Sequence, residues 1–419
     1  MTQATTARTP SSLGRYAAVF GPGLVVMLAD TDVGSIITAA QSGAQWGYRL
    51  LLIQVVLMPI LFMVQELTVR LGLHTGRGHG ELIRDTFGPV WAWISVAGLA
   101  VAVFGALITE LAGVAGVGEL YGIPRTVSLL LATAALLAIV LTGSYRRVER
   151  IAIALGLFEL AFFVVAWLAR PSLAEMAQGA LDIPWANKDY LYLAAANIGA
   201  VIMPWMVFYQ QSAVADKGLR PEHLSIARWD TAVGAVVTQL VMAAVLVATA
   251  ATIGHTTAPG ADAPILSTVG ELSEALTPFL GIGAGRLVFS AGVLGAGMVA
   301  AIVATLALAW GVGEVAGYRR SLNLRPYQAQ AFYGLYAVAV IGCAVLVRLW
   351  PNLVNLNVGV QVMNALLLPM VLGFLVALGI RALPPAVRLR GPYKATLILV
   401  VGLTTLLGVF GALSGAGLL

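Results

Sequence analysis

The sequence predicts an all-α polytopic membrane protein with eleven transmembrane helices, and three observations lead to this fold class. Apolar residues make up 59% of the 419 residues and charged residues only 10%, whereas soluble domains carry about 25% charge. Windows of about 20 mostly apolar residues, enough to cross the hydrocarbon, are centred near residues 29, 58, 102, 135, 159, 200, 241, 300, 338, 367 and 404. The first and the sixth windows each contain glycine or proline at mid-span, and these residues interrupt helices.

An odd number of spans places the two termini on opposite sides of the membrane. With the N-terminus inside, 18 of the 24 Lys and Arg residues face the cytoplasm, as the positive-inside rule requires. We therefore predict a cell (inner) membrane protein with a cytoplasmic tail, 1–15, and an extracytoplasmic C-terminus. No loop is long enough for a separate domain, so 1–419 is one transmembrane domain, with five-helix repeats at 16–170 and 188–383 and an extra helix at 392–415.

Several classes of partner are excluded by composition. The single cysteine, Cys343, offers neither an intrachain disulfide nor a thiolate metal cluster. The net charge of +5 comes without a basic block interleaved with aromatic residues, so nucleic acid is not expected. The polar stretch from Met1 to Arg15 has no pattern of a cleaved signal peptide. We expect contact with the lipid bilayer, no resident cofactor and no obligatory protein partner.

The two broken helices predict the position of a binding site. Residues 30–35 interrupt the first span with two carboxylates and a glycine, and residues 197–204 interrupt the sixth with Asn-Ile-Gly and a Met-Pro pair. The breaks lie about 170 residues apart, as they would in two inverted five-helix repeats whose discontinuous helices meet near the bilayer midplane around a substrate.

Asp30 and Asp32 lie in a helix that must cross lipid. An ionisable residue there is a functional candidate, because its charge needs a partner cation or water. The alternative is that a carboxylate caps the broken helix by accepting freed backbone N–H groups. We favour Asp32 as a ligand and give Asp30 second place.

The breaks supply further metal-binding atoms. Backbone carbonyl oxygens are freed near Thr31 and Ala200, and the Ser35 hydroxyl lies close to the first break; hard divalent cations prefer such oxygen ligands. Met203, next to Pro204 in the broken sixth helix, adds a thioether, which suits Mn²⁺ or Fe²⁺ better than Mg²⁺. A lone methionine in an apolar helix more often packs in the core, and its place at the break is what favours a ligand.

Three segments resemble the NRAMP family of divalent-metal transporters. Residues 32–35 (DVGS) and 41–51 (QSGAQWGYRLL) are similar to the family's Asp-Pro-Gly-Asn motif and the Gly-Ala-Gln-aromatic-Gly-Tyr segment after it. Residues 199–204 (GAVIMP) are similar to its helix-six motif, in which His follows Met-Pro. The resemblance implies a LeuT-type fold that transports a divalent metal by alternating access. It implies metal ligands at Asp32, Ser35, Ala200 and Met203.

Four positions near the breaks depart from the family pattern. Val33 replaces the family proline, and Ser35 replaces the asparagine. Trp205 and Gln210 stand where the family carries two histidines. The resulting ligand set resembles that of the NRAMP-related magnesium transporters, which implies Mg²⁺ as the substrate. Met203 instead favours Mn²⁺, so Mg²⁺ and Mn²⁺ both stay open as substrates.

The proton pathway implied by the family is also incomplete. The family carries two acidic residues in helix three; the corresponding positions here are Glu110 and Gly113, so one acid is missing. No arginine lies in the middle of helix nine, where the family has one. A proton path through lipid needs titratable groups in series. We therefore predict that coupling to protons is weak or absent.

In helix ten, the family glutamine aligns with Leu367, and Asn364 and Gln361 lie one and two turns earlier. Further candidates for the site or its pathway are Asp30, Thr31, Gly34, Trp205, Gln210, Glu110, Gln361 and Asn364.

Other classes of function are weighed against metal transport. An organic-solute carrier of amino-acid type would use the same broken helices, although two aspartates would repel a carboxylate. A non-transporting metal sensor should carry a soluble output domain, and a membrane enzyme should carry a catalytic motif; neither pattern is present in the sequence. Outside the site, Glu66 is expected to pair with Arg70 and His79 to be solvent-exposed in a glycine-rich loop.

Overall fold

The computed structural model describes residues 19–254, 266, 268–276, 278, 280–350 and 356–419, and all regular structure within these ranges is helical. The all-α prediction is therefore confirmed. The predicted cytoplasmic tail, 1–15, lies outside the described residues.

Between residues 22 and 168 of the described part of the chain there are eight helices, and two short 3-10 turns, Gly47–Leu50 and Leu157–Leu160, join neighbouring helices. They are α1 (Pro22–Asp30), α2 (Val33–Trp46), α3 (Leu51–Thr75), α4 (His79–Phe87), α5 (Pro89–Leu120), α6 (Arg125–Val140), α7 (Tyr145–Gly156) and α8 (Ala161–Leu168).

Nine further helices lie among the described residues between 173 and 415. They are α9 (Leu173–Leu181), α10 (Lys188–Val201), α11 (Pro204–Asp216), α12 (Leu224–Thr249), α13 (Val269–Leu276), α14 (Gly281–Ala316), α15 (Gln330–Leu349), α16 (Leu356–Arg381) and α17 (Gly391–Gly415).

In the described part of the chain, nine helical stretches are long and apolar enough to span a membrane. One of them, Val33–Thr75, combines the second half of the first predicted span with the whole second span, and Arg125–Val140 is apolar but shorter. The half-helix α1 has only 9 residues. The count of eleven spans therefore stays a prediction.

Both predicted helix breaks are present. The first span stops at Asp30 and restarts at Val33, with Asp32 as the N-cap of α2. The sixth span stops at Val201 and restarts at Pro204, where the missing N–H of proline is tolerated because first-turn donors have no intrahelical partner.

The half-helix α1 is held against α12 at both of its ends. The Asp230 carboxylate of α12 accepts hydrogen bonds from the backbone N–H groups of Gly21 (3.0 Å) and Gly23 (2.7 Å). At the other end, the hydroxyls of Thr31 and Thr238 lie 2.6 Å apart. Because Thr31 immediately precedes Asp32, this docking fixes the position of the first break.

The helices α10 and α16 cross at van der Waals contact because of one glycine. A Cβ atom at Gly199 would overlap the carbonyl oxygen of Gln361 and would lie 2.7 Å from the Ala365 nitrogen. Only glycine allows this approach. The crossing brings the end of α10, with Ala200, next to Gln361.

Buried polar groups join several helices at the end that the sequence predicts to be cytoplasmic. Glu66, 2% exposed, accepts from Arg70 at 2.7 Å, as predicted, and also from Arg228 (2.7 Å) and the Tyr393 hydroxyl (3.3 Å). These contacts join α3, α12 and α17. A buried carboxylate needs such partners, because its charge is costly to bury alone.

The expectation for His79 is wrong. Its ring is fully buried, lies edge-on to Phe208 with 4.8 Å between ring centroids, and places Nδ1 3.0 Å from the Gln211 Oε1 atom. Burial lowers the pKa of His79 to about 4, although the Gln211 hydrogen bond opposes this shift. The neighbouring glycines bring this segment close to α14, because a Cβ at Gly78 would overlap the Glu314 carboxylate and one at Gly80 would lie 3.2 Å from it.

Candidate metal site

The two broken helices meet at a buried point. Asp32, Ser35, Ala200 and Met203 are each at most 1% exposed. The Ser35 hydroxyl donates a hydrogen bond of 3.1 Å to the Ala200 carbonyl oxygen, which joins the first break directly to the sixth. Ser35 and Ala200, which come from opposite halves of the chain, are therefore in direct contact, and Met203 is the N-cap of α11, three residues after Ala200.

The two oxygens of Asp32 have different environments. Oδ1 accepts the Ser35 backbone N–H at 2.6 Å, and the Gln361 Nε2 atom lies 3.4 Å from it. Oδ2 is buried and has no hydrogen-bond partner among the described residues. The capping interpretation and the ligand interpretation are therefore compatible, because one oxygen caps α2 and the other remains available to a cation.

The helix-ten residue at this point is Gln361. Leu367, with which the family glutamine was aligned, lies near Gly98 of α5, 3.7 Å from the position of a Cβ there. The alignment with Leu367 was therefore wrong by almost two turns. Asn364 is also close, since its Nδ2 atom donates to the Gln361 Oε1 atom at 2.9 Å. A signal was present in the sequence, because residues 361 and 364 share one helix face.

Glycine at position 34 makes room for the amide of Gln361. A Cβ there would overlap the Gln361 Nε2 atom and would lie 3.4 Å from Asp32 Oδ1. Gly34 therefore contributes space to the site and not a ligand side chain.

Glu110 supports the first break from α5. Its Oε2 atom accepts the Val33 backbone N–H at 3.1 Å, and its Oε1 atom accepts the Thr109 hydroxyl at 3.2 Å. A Cβ atom on Gly113 would lie 2.5 Å from the nearest Val33 side-chain carbon. Two departures from the family pattern are thus packed against each other, because the Val33 side chain fills the space beside Gly113.

The remaining sequence candidates are all buried, but they differ in their partners. Both carboxylate oxygens of Asp30 lack a hydrogen bond among the described residues, as does the indole N–H of Trp205. Gln210 instead joins two neighbouring helices, accepting from the Thr68 hydroxyl (3.1 Å) and donating to the Thr231 hydroxyl (2.8 Å). Gln210 is therefore a structural link between α3, α11 and α12.

The surroundings of the site are acidic. Asp30, Asp32, Glu110 and Glu159 are each at most 1% exposed, and Glu159 interacts electrostatically with the other three. Glu159, from the fifth predicted span, belongs to this group. Buried carboxylates that share a region favour a cation there. Among the described residues no three His, Cys, Asp or Glu side chains converge on one point, so a bound metal would need carbonyl, hydroxyl, amide or thioether ligands as well.

This architecture defines a class of protein. Two discontinuous helices that meet at a buried polar site are the signature of secondary transporters built from inverted repeats. The inward-facing structure of Mhp1 superposes with a TM-score of 0.60 at 14% identity, covering 95% of this chain and 90% of that chain. The chain has the LeuT-type fold of a multi-pass membrane transporter.

The family is shown by the sequence itself. The model described as "Natural resistance-associated macrophage protein-like" matches residues 23–414, and the chain belongs to this family, the Nramp family. The predicted resemblance is confirmed. Members of the family are metal transporters, so the prediction that the chain is not an enzyme is also confirmed.

Individual relatives agree with this membership. The divalent metal cation transporter MntH of Bradyrhizobium diazoefficiens is 28% identical over 308 residues, which are 70% of this chain and 67% of the relative. MntH of Agrobacterium fabrum is 27% identical over 309 residues, 71% of this chain and 66% of the relative. The Eremococcus coleocola manganese transporter superposes with a TM-score of 0.79 at 22% identity, covering 98% of this chain and 90% of that chain.

Proposed function

We propose that this protein moves a divalent metal cation across the cell membrane by alternating access, and that Mn²⁺ is the leading candidate substrate. The observation that carries the proposal is the contact of the two breaks: the Ser35 hydroxyl lies 3.1 Å from the Ala200 carbonyl oxygen. Beside them, Asp32 Oδ2 is buried without a partner. The metal is substrate, and we propose no resident cofactor and no obligatory protein partner.

Asp32, Ser35, Ala200 and Met203 are the proposed ligands. Three of them offer a carboxylate, a hydroxyl and a carbonyl oxygen, which any hard divalent cation accepts. Met203 adds a thioether, which favours Mn²⁺ because Mg²⁺ keeps its water ligands more strongly. Mg²⁺ is the second candidate substrate, favoured by the shorter Ser35 side chain, which would leave room for a water-bearing ion.

Removing the thioether should change the preference between these ions. We expect Met203→Ala to raise Mg²⁺ binding relative to Mn²⁺ by about tenfold, similar to the loss of one supporting group at a metal site. Isothermal titration calorimetry of the purified protein with each ion measures the ratio of the Mg²⁺ and Mn²⁺ affinities. Met206→Ala is the matched control, because Met206 is also fully buried in α11. An unchanged ratio in Met203→Ala would place Met203 in the core.

We propose that metal movement is weakly coupled, or not coupled, to protons. Three features support this proposal: the family acidic position is Gly113, its space is occupied by Val33, and Gln210 is hydrogen-bonded between Thr68 and Thr231. Gly113 has no side chain, and the side chains of Val33 and Gln210 do not titrate, so none of these residues can carry a proton.

Uptake into proteoliposomes tests both substrate and coupling. We expect the purified protein to accumulate Mn²⁺, with Mg²⁺ as the comparison ion, and an internal pH dye to show little or no acidification as metal enters. Acidification in proportion to metal entry would contradict the uncoupled mechanism. Transport of neither ion would contradict the proposed function, and metal binding without transport would favour a sensor. Uptake of an amino acid in place of metal would favour the organic-solute carrier.

For orientation, we propose a cytoplasmic N-terminus and an extracytoplasmic C-terminus. The support is the distribution of Lys and Arg, 18 of 24 on one predicted side. Cysteine labelling from outside tests it: in a Cys343→Ser background, Leu419→Cys, at an exposed position, should react with a membrane-impermeant maleimide in intact cells.

A further inference from the structure

Asn364 has a buried polar atom that the site described above does not explain. The side chain is fully buried in α16. Its Nδ2 atom donates to the Gln361 Oε1 atom at 2.9 Å, but its own Oδ1 atom has no hydrogen-bond partner among the described residues. An unsatisfied buried acceptor is destabilising, because it loses its hydrogen bonds to water without replacing them, and such a group in a native protein calls for an explanation.

Gln361 lies between this amide and the proposed metal ligand Asp32. Its Nε2 atom is 3.4 Å from Asp32 Oδ1, while its Oε1 atom is taken by Asn364. The amide therefore presents its N–H₂ group to the carboxylate and its oxygen to Asn364. A divalent cation bound at Asp32 would favour the opposite orientation of the Gln361 amide, because the cation attracts the amide oxygen and repels the N–H₂ group.

The packing leaves the end of the Gln361 side chain free to turn while its backbone is fixed. Gly199 holds the Gln361 carbonyl at the close crossing of α10 and α16, and Gly34 leaves open the space that the amide occupies. The terminal torsion of a glutamine is soft, with broad, roughly two-fold minima. An exchange of its oxygen and nitrogen positions therefore needs no movement of a helix.

We propose that Asn364 is a positioning residue that lets the Gln361 amide reverse when the divalent metal binds. In the reversed state the Gln361 oxygen faces the metal, and the Asn364 amide turns with it, so that Asn364 Oδ1, the atom that otherwise has no partner, accepts a hydrogen bond from Gln361 Nε2. One hydrogen bond joins the two amides in either state, so the reversal costs little. The inference rests on the proposed divalent-metal site and adds the group that adapts Gln361 to it.

A double-mutant cycle tests whether Asn364 acts through Gln361. Mn²⁺ affinity is measured by isothermal titration in the unsubstituted protein, in Asn364→Leu, in Gln361→Leu and in the double variant. We expect Asn364→Leu to weaken Mn²⁺ binding about tenfold when Gln361 is present and to have no effect when it is absent. An equal loss in both backgrounds, or no loss in the first, would overturn the proposal.

Asn357→Leu is the matched control. Asn357 lies one turn before Gln361 on the same helix, is 1% exposed and also has an amide oxygen without a partner. Its replacement should leave Mn²⁺ affinity within about twofold, because supporting groups matter only when they touch a ligand. An equal loss in Asn357→Leu would show that any buried amide in this helix suffices.

If Asn364→Leu does not fold, Asn364→Ala is taken through the same cycle. Alanine removes the amide without adding a charge, and its effect on affinity should again vanish in the Gln361→Leu background. An effect that persists there would overturn the proposal. The proposed function fails separately, through absence of Mn²⁺ binding and uptake in the unsubstituted protein.

Discussion

Replacing Asp32 by asparagine is expected to weaken Mn²⁺ binding by more than about 100-fold, because groups that merely support a metal ligand already contribute about 10- to 100-fold. Asp32 Oδ1 accepts the Ser35 backbone N–H at 2.6 Å. Asparagine keeps an oxygen that can accept the same hydrogen bond, so α2 should keep its first turn. What is lost is the negative charge on the buried oxygen that has no partner. Isothermal titration with Mn²⁺ measures the change.

Two variants accompany this measurement. Asp182→Asn removes the charge of an exposed aspartate paired with Arg49 at 2.6 Å, and Mn²⁺ affinity should be unchanged. Asp30→Asn removes the second buried carboxylate of the break, and we expect a smaller loss than for Asp32. Unchanged affinity in Asp32→Asn would remove Asp32 from the site, and a larger loss in Asp30→Asn would reverse their ranking.

A methyl group at position 199 is expected to damage both the fold and the site. In Gly199→Ala the new Cβ would overlap the Gln361 carbonyl oxygen, a backbone atom that cannot turn aside as the end of a side chain can. The helices α10 and α16 must separate, which should cost about 1–3 kcal/mol, typical of overpacking. It should also move Gln361 away from Asp32. A lower unfolding temperature and weaker Mn²⁺ binding are the measurements.

Gly373→Ala supplies the control for this prediction. Gly373 is in the same helix α16, but a Cβ there meets nothing within 4 Å. Alanine favours a helix over glycine by about 1 kcal/mol, so the unfolding temperature should stay level or rise. If Gly199→Ala unfolds no earlier than Gly373→Ala, the crossing is not as tight as described.

The part of the site that could be predicted comes from local chemistry. Asp32 follows from the cost of a carboxylate in lipid, and the breaks follow from proline and glycine within apolar runs. Ala200 and Ser35 are next to those breaks in the sequence, and the 3.1 Å contact between them agrees with the prediction that the two breaks meet.

The part that could not be predicted depends on distant contacts. The alignment with Leu367 failed, because the sequence does not reveal which turn of α16 faces α10; the close approach at Gly199 selects Gln361. His79 was expected in water, but its loop folds against Phe208. Gln210 was a candidate for the pathway, yet its amide is used between Thr68 and Thr231.

By itself, the sequence determined the class of protein, the two helix breaks and the acidic residue at the centre. These depend on hydrophobicity and backbone rules that act over a few neighbouring residues. Only the tertiary structure decided how the two oxygens of Asp32 divide between a cap and a vacant acceptor, and which amides, Gln361 and Asn364, lie beside them. The physical reason is that helix packing brings together residues more than 300 positions apart, such as Asp32 and Gln361, and short-range rules do not set that register.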